Sequence, residues 1–363
     1  MRQRQPLVNQ RSRNERLHFR SRGPHYWQVL GRLMHIAVIG AGVLGSLYAA
    51  RLAAAGQTVT LVARGDRLTQ LQQGPILILN EDNDARAAAT VAVVANLLPD
   101  ADYDLALVVV RADQIDALLP DLQANRGVKT FLFLHNRAAG YAALAQAVGS
   151  ERLLLGFPGA GGWLDGATVR YRLIPEQPTT LGEPDGSLSP RLRQIAKALE
   201  SAGFTVALSR PMDDWLKTHA MLVTSIAGAI YLGQGSTAAV ARSRDSIRTL
   251  VRGIRQGFGL LSAAAVRIAP RKLGLLVGLP AILGEIYLRR FLARPASELI
   301  LARHANAVPG ELATLVEELR AVVRLEPGAA PDLETLWAAV SAAANRGNLS
   351  GPTRQPEPIS ANP

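Results

Sequence analysis

"HIAVIGAGVLGSLYAARLAAAGQTVTLVARG" occupies His35–Gly65, and its reading decides the fold. Ile36–Ile39 is a short apolar run, the pattern of a strand buried on both faces. Gly40-Ala41-Gly42-Val43-Leu44-Gly45 follows. In this spacing the first glycine permits a tight turn. The second admits close approach of the backbone to a pyrophosphate, and the third lets the next helix pack on the strand. Ser46–Ala55 is rich in Ala and Leu and reads as helix, stopped by Gly56; Thr58–Ala63 reads as a second strand. Strand, turn, helix and strand in that order set the free N–H groups and positive dipole end of a helix against a phosphate. G-x-G-x-x-G alone is a weak signal, but this is the context its mechanism requires. Gly40, Gly42, Val43, Leu44 and Gly45 are therefore the expected pyrophosphate-binding backbone. The rival reading is an ordinary βαβ unit whose glycines serve packing.

The second strand bears on which dinucleotide is held. NAD sites place Asp or Glu at its end for the ribose 2′-hydroxyl, whereas NADP sites offer arginine to the 2′-phosphate. Here the strand ends in Arg64, and the nearest acid, Asp66, comes two residues later. A guanidinium fork suits a phosphate. The expected cofactor is NADP (as NADPH), with Arg64 on its 2′-phosphate; otherwise Arg64 is a solvated loop arginine.

A length of 363 residues allows two domains, and 48% hydrophobic against 19% charged residues allows a sizeable core. The chain has no cysteine, which excludes disulfides, thiol nucleophiles and Cys-ligated metal sites. The net charge of +11 misleads: residues 1–33 hold eight arginines and one acid, Glu15, and so carry +7 of it, leaving +4 for the rest. No nucleic-acid face follows for the folded part. Residues 1–33 lack apolar periodicity and the apolar stretch of a secretory signal, and read as a disordered basic extension. It is either dispensable or a targeting or binding arm. Residues 345–363, Pro-rich, read as a disordered tail. The longest apolar run, "LGLLVGLPAILG" at Leu273–Gly284, is too short for a membrane span of ~18 residues and reads as buried helix. Membrane association is not expected, although a surface helix there stays open.

Further along, Leu105–Val110 and Thr130–Leu134 are apolar runs of the parallel-sheet kind, followed by helical segments at Asp113–Leu122 and Ala138–Val148. Ile76–Leu79, Val91–Val94, Arg152–Leu155, Thr168–Leu173 and Thr205–Leu208 read as strands, and Ser189–Ser201 as a helix. After Ser209 the pattern is helical, with turn breaks at Gly233–Gly235, Pro270, Pro280, Pro295 and Pro327–Pro331. Pro211, with Asp213 and Asp214 behind it, marks a helix start. The expected fold is α/β: a Rossmann-type dinucleotide-binding domain over residues 34–209, then an all-α substrate and dimerisation domain over residues 210–344. Ligand chemistry belongs in the cleft between them, at the carboxyl ends of the strands.

Three more stretches stand in order: "VVVRADQ" (Val108–Gln114), "FLHNRAAG" (Phe133–Gly140) and "DDWLKTHAMLVTS" (Asp213–Ser225). Together with "GAGVLG" and "VARG" they resemble the ketopantoate reductase (2-dehydropantoate 2-reductase) family over Met34–Ile230, and more loosely at "RHANAVPGELATLVEELR". The resemblance implies reduction of a small anionic 2-keto acid with NADPH, a cytoplasmic homodimer and a place in pantothenate biosynthesis. It makes Lys217 the proton donor to the ketone oxygen, a role an ammonium suits. It sets Asn136 against nicotinamide and substrate, and Arg111 in the place of a cofactor-binding lysine.

The departures are as informative. The family presents Lys, Asn and Asn at i, i+4 and i+8 of one helix; here these are Lys217, Met221 and Ser225. A thioether cannot replace an amide's hydrogen bonds, which leaves Ser225 as the polar substrate-binding group. Arg137 stands where the family has glycine after its asparagine, and "GFPGAGGW" at Gly156–Trp163 is unusually rich in glycine. The family's substrate-gripping Glu and its neighbouring Asn fall near Arg289 and Arg294, with Glu285 and Glu298 the nearest acids. His219 and His304 read as packing or surface histidines. The leading expectation is a 2-keto-acid reductase. The alternatives are a cofactor-binding protein that has lost or changed this activity, and a protein associated with a membrane surface or nucleic acid through its basic extension.

Overall fold

The computed structural model describes residues 33–349. The expectations for residues 1–32 and 350–363 lie outside the described residues.

The first part runs β1 (His35–Ile39), α1 (Val43–Ala54), β2 (Thr58–Val62), α2 (Gly65–Gln72), β3 (Ile76–Asn80), β4 (Arg86–Ala89), β5 (Ala92–Val94), β6 (Leu105–Val108), α3 (Ile115–Ala124), β7 (Phe131–Leu134), α4 (Ala142–Val148), β8 (Leu153–Phe157), β9 (Ala160–Asp165), β10 (Thr168–Leu173), β11 (Thr179–Gly182), α5 (Pro190–Ser201) and β12 (Val206–Leu208). Eight strands form one sheet in the order β12-β11-β8-β7-β6-β1-β2-β5. From β8 through β5 all neighbours are parallel; β11 runs antiparallel to β8. The side-chain period of two sorts residues to the two faces. Ile36, Val38, Leu61, Leu105, Leu107, Leu132 and Leu134 meet α1 and α5 on one face. Ala37, Ile39, Val62, Ala106, Val108, Phe131 and Phe133 face the apolar residues of α3 and α4 on the other.

A second sheet, β4-β3-β10-β9, packs beside α1. Three of the strands were not expected. β4 is "RAAA", without β-branched residues, and forms as the antiparallel partner of β3. β9 and β11 sit in the Gly/Pro-punctuated stretch; Gly162 of β9 is needed because a Cβ there would run into the Arg170 backbone of β10. Two expected helices start later. Ala112–Gln114 is a separate 3₁₀ turn before α3, and the segment after Asn136 stays irregular until Ala142.

The helical part comprises α6 (Met212–Leu232), α7 (Thr237–Arg242), α8 (Arg244–Ala263), α9 (Arg271–Gly278), α10 (Ala281–Leu292), α11 (Pro295–Ser297), a π turn over Glu298–Ala302, α12 (Arg303–Ala307), α13 (Pro309–Val323) and α14 (Pro331–Leu349). Pro211 caps α6 and Asp213 and Asp214 fill its first turn, as the dipole favours. α6 is the central element, packed on α8, α13 and α14. Trp337 of α14 is fully buried, and its indole N–H donates to Thr224 Oγ1 at 3.1 Å. At its N-terminal end Met212, Trp215 and Leu216 join the apolar cluster under the sheet. α14 corrects one expectation: residues 345–349 are its last turn, not a disordered tail. They extend a helix whose apolar residues already pack on α6 and α8.

Candidate active site

The strand order reverses between β1 and β6: the chain leaves β1 toward β2 on one side and reaches β6 on the other. A parallel sheet opens a crevice at the carboxyl ends of the strands at such a point. The glycine turn stands on that spot. Gly40 has φ +108°, and a Cβ there would stand 2.4 Å from the carbonyl oxygen of Val109, just past β6. Gly45 faces the Gly40 carbonyl so closely that a Cβ would fall 1.8 Å from that oxygen. Gly42, the N-cap of α1, has nothing within 4 Å of a Cβ position. The first and third glycines are thus packed shut, and the second opens onto space. That cradle fits a pyrophosphate on the helix N-terminus, with Val43 and Leu44 beside it on the cavity wall.

A cavity of ≈1570 Å³ runs from this turn into the helical part. At the turn end it is lined by Gly40, Gly42, Val43, Leu44, Arg64, Arg67 and Arg111. Arg64, the N-cap of α2, pairs with Asp121 of α3 at 2.9 Å. Both side chains are about 60% exposed (60% and 63%), so the pair is worth at most ~1 kcal/mol and yields readily to a ligand phosphate. Arg67 was not singled out from the sequence. One α2 turn further in, its Nε donates to the Ala41 carbonyl at 3.2 Å and its guanidinium also donates to Ser46 Oγ at 3.2 Å. It roofs the glycine turn. The signal was present, since i+3 from Arg64 falls on the same helix face. Arg111 forks onto Asp113, with both bonds at 3.1 Å, at the end of β6.

Midway along the cavity, β7 delivers Leu134, His135 and Asn136. Asn136 is buried, and its Nδ2 donates to Glu311 Oε1 of α13 at 3.3 Å. Glu318, seven residues on and on the same helix face, accepts from the backbone N–H groups of Ala138 (2.6 Å) and Ala139 (3.1 Å). Two carboxylates of one helix thus pin the loop that carries Asn136. Sequence reasoning missed both; "ELATLVEELR" gave only the i, i+7 spacing of acids. His135 is buried with neither ring nitrogen hydrogen-bonded, and burial pushes its pKa down to about 3, with the Arg137 charge adding to the shift.

The α6 wall of the cavity is Trp215, His219, Leu222, Val223 and Ile226. His219 stacks on Trp215 (5.0 Å, 7° between planes) and touches Phe157. Burial, helped by the His304 charge, pushes its pKa down to about 4, so it is neutral at pH 7. The Lys217, Met221 and Ser225 face does not line this wall. Lys217 donates to Asp213 one turn back, and its ammonium lies next to Gly140 in the loop after Asn136. Met221 is buried against Gly257 of α8. Ser225 corrects the expectation of a substrate-binding hydroxyl: it is fully buried, donates to the Met221 carbonyl at 2.7 Å, and does not reach the cavity. The helix is rotated so that positions one or two residues on, His219, Leu222, Val223 and Ile226, line the cavity instead.

Glu298 and Glu285, the acids nearest in sequence to the family's Glu position, are also engaged elsewhere. Glu298 accepts from Ser236, Thr237 and Ala238 and serves the start of α7; Glu285 faces Arg248 at 3.9 Å. Of the carboxylates that line the cavity, Asp113, Glu176 and Glu311, the last is the one bonded to Asn136, and His304 and Arg303 of α12 are also on the lining. Burial lowers the His304 pKa, while the Glu311 charge pulls it back up. Among the described residues no group of His, Cys, Asp and Glu could hold a metal ion.

A Rossmann-type sheet with a glycine cradle at its switch point, opening onto an all-α wall, defines a dinucleotide-binding class of protein. Comparison with known proteins adds what the chain is similar to. Residues 36–186 match the family model of the ketopantoate reductases, PanE/ApbA, which bears out the resemblance read from the motifs over that stretch. The chain is 27% identical over 245 residues to a 2-dehydropantoate 2-reductase of Mesorhizobium japonicum, covering 60% of this chain and 73% of that one. Two solved structures share the fold. One is 2-dehydropantoate 2-reductase from Geobacter metallireducens GS-15, with TM-score 0.66, 19% identity, and coverage of 85% of this chain and 99% of that one. The other is D-mandelate dehydrogenase with NADH and anilino(oxo)acetate, with TM-score 0.68, 15% identity, and coverage of 86% and 99%.

Proposed function

We propose that the chain is a divergent ketopantoate reductase that reduces the ketone of a 2-keto acid with NADPH. The observation that carries the reading is the continuity of one cavity from the Gly40–Gly45 cradle, past Asn136, to the polar cluster of His304 and Glu311. Gly42, Val43 and Leu44 would hold the pyrophosphate, Arg64 and Arg67 the 2′-phosphate, and Arg111 the flank of the dinucleotide. Bound there, NADPH would supply a hydride to the keto carbon. The π pair of the C=O then settles on oxygen, which takes a proton from the protein. Asn136, held by Glu311, orients the carbonyl. The relatives' names bring 2-dehydropantoate, and hence pantothenate biosynthesis, as one candidate within the 2-keto acids; a cytoplasmic homodimer rests on the motif resemblance alone.

Two groups compete as proton donor. The resemblance favours Lys217. The geometry favours His304, which faces the cavity beside Glu311, whereas Lys217 is held by Asp213 off the wall. The same ion pair and Met221 support the rival reading, a dinucleotide-binding protein without this turnover.

Lys217→Ala and His304→Gln, each assayed for NADPH oxidation with a panel of 2-keto acids and for NADPH affinity, test the assignment. General acid catalysis contributes ~10²–10⁴-fold, so loss of the donor cuts kcat at least a hundredfold and leaves NADPH affinity unchanged. We expect that result for His304→Gln, with a wild-type rate highest on the acid side and falling as pH rises below the ordinary histidine range, because burial holds the His304 pKa down and the acid must be protonated. The groups facing His304 are Glu311 and His219, with Arg303 adjacent in sequence. A hundredfold loss in Lys217→Ala alone would return the role to the lysine. No turnover of any keto acid by the unmutated chain would favour the rival reading.

A further inference from the structure

Beyond Asn136 the cavity changes character. Its walls there are apolar and aromatic, with Leu222 and Ile226 from α6, Phe258 from α8, Leu288 and Phe291 from α10, and Phe157 at the end of β8. The α6 face that the resemblance would furnish with amides is turned into the bundle, and Leu222, Val223 and Ile226 take its place. The volume points the same way. Sites for drug-sized ligands run ~300–1,000 Å³; this cavity, at ≈1570 Å³, has room for a dinucleotide and a sizeable second ligand. A compact, hydroxyl-bearing acid would leave much of the apolar wall wet and its hydroxyl without partners.

Of the cations on the helical lining, Arg255, Lys272, Arg294 and Arg303, the last is the one stacked closest on an aromatic ring and is the one placed to hold the acid end. Arg303 lies on the cavity wall with its guanidinium 3.9 Å from the centre of the Trp163 ring. No ion pair to a carboxylate of the described residues engages it. A guanidinium stacked on indole is already oriented, and its fork matches a carboxylate. His304, the adjacent residue in sequence, lies on the same wall, so the acid and its keto group would meet both side chains in succession.

We propose that the substrate is a 2-keto acid with a bulky apolar side chain, aromatic or long and branched, its carboxylate on Arg303 and its side chain among Leu222, Ile226, Phe258 and Phe291. The inference rests on the reductase reading for the keto group; the apolar acid-binding site stands on the cavity alone.

Two series separate the claims. The first is kcat/KM with NADPH for pyruvate, 2-dehydropantoate, 4-methyl-2-oxopentanoate and phenylpyruvate. The second uses carboxylates that cannot be reduced, propanoate, hexanoate and 3-phenylpropanoate, with binding followed by tryptophan fluorescence, since Trp163 and Trp215 line the cavity. Expected is a rise of about fourfold in affinity per buried methylene, the same rank order in kcat/KM, and a loss of tenfold or more with Arg303→Ala. Graded binding of the carboxylates without turnover of any keto acid would defeat the reductase reading and leave the site. Flat affinity along the carboxylate series, or 2-dehydropantoate as the best substrate, would overturn the proposal. Should Arg303→Ala fail to fold, Arg303→Lys, which keeps the charge and loses the fork, gives the same comparison.

Discussion

Arg64 and Arg67 give the cofactor expectation its sharpest form at the level of single side chains. The first sits exposed on a weak pair with Asp121, and the second is tied down over the glycine turn. A phosphate offered between them gains charge-assisted hydrogen bonds worth ~1.5–3 kcal/mol each. Arg64→Ala should therefore lose at least tenfold in NADPH affinity with little change for NADH, because a free 2′-hydroxyl has no use for a guanidinium. The check is a pair of titrations on one preparation. Arg67→Ala should weaken both dinucleotides, since Arg67 also bonds the turn itself through the Ala41 carbonyl. Equal affinities of the unmutated chain for NADPH and NADH would remove the argument.

At the scale of the element, the unit from β1 through α1 to β2 was legible because each of its glycines has one physical job. Gly45→Ala should lower the thermal midpoint, since overpacking against the Gly40 carbonyl costs ~1–3 kcal/mol. Gly42→Ala has open space and should keep its thermal midpoint while weakening NADPH binding about tenfold. Thermal melts and dinucleotide titrations on both variants decide it; a stability loss at Gly42 equal to that at Gly45 would mean that the turn is packing alone. Other elements were less legible. β4 and β9 carry no strand pattern of their own and exist through their partners β3 and β10. The orientation of α6 was misread because Lys217, Met221 and Ser225 do share a face; what the sequence could not say is which face meets the cavity. That is set by packing on α8 and α14, whose Gly257 receives Met221 and whose Trp337 bonds Thr224. Glu311 and Glu318 escaped for the same reason: their partner, the loop after Asn136, is 175 to 180 residues away in the chain.

Across the whole molecule, two neutral histidines couple folding to pH. His135 and His219 are buried with pKa values pushed down to about 3 and about 4. Their unfolded value is ~6.5, so below that pH the unfolded chain binds more protons and stability falls as pH falls, until the folded values are reached. For His219 the loss is on the order of 3 kcal/mol across that window. Urea unfolding at ~pH 7 and ~pH 4.5 should show a drop that is smaller in His219→Phe, a ring that can keep the stack on Trp215. An unchanged drop in that variant would show that His219 is not the group that titrates.

The cavity itself joins these scales, because one continuous space must serve both the glycine turn and the helical wall. The most direct test of the account is a titration of the full chain with NADPH and with NADH, read by energy transfer from the tryptophans, Trp163 and Trp215 among them on the cavity wall. The account predicts saturable binding of NADPH, at least tenfold tighter than NADH, and weakened by Gly42→Ala. Failure of both dinucleotides to bind would contradict it.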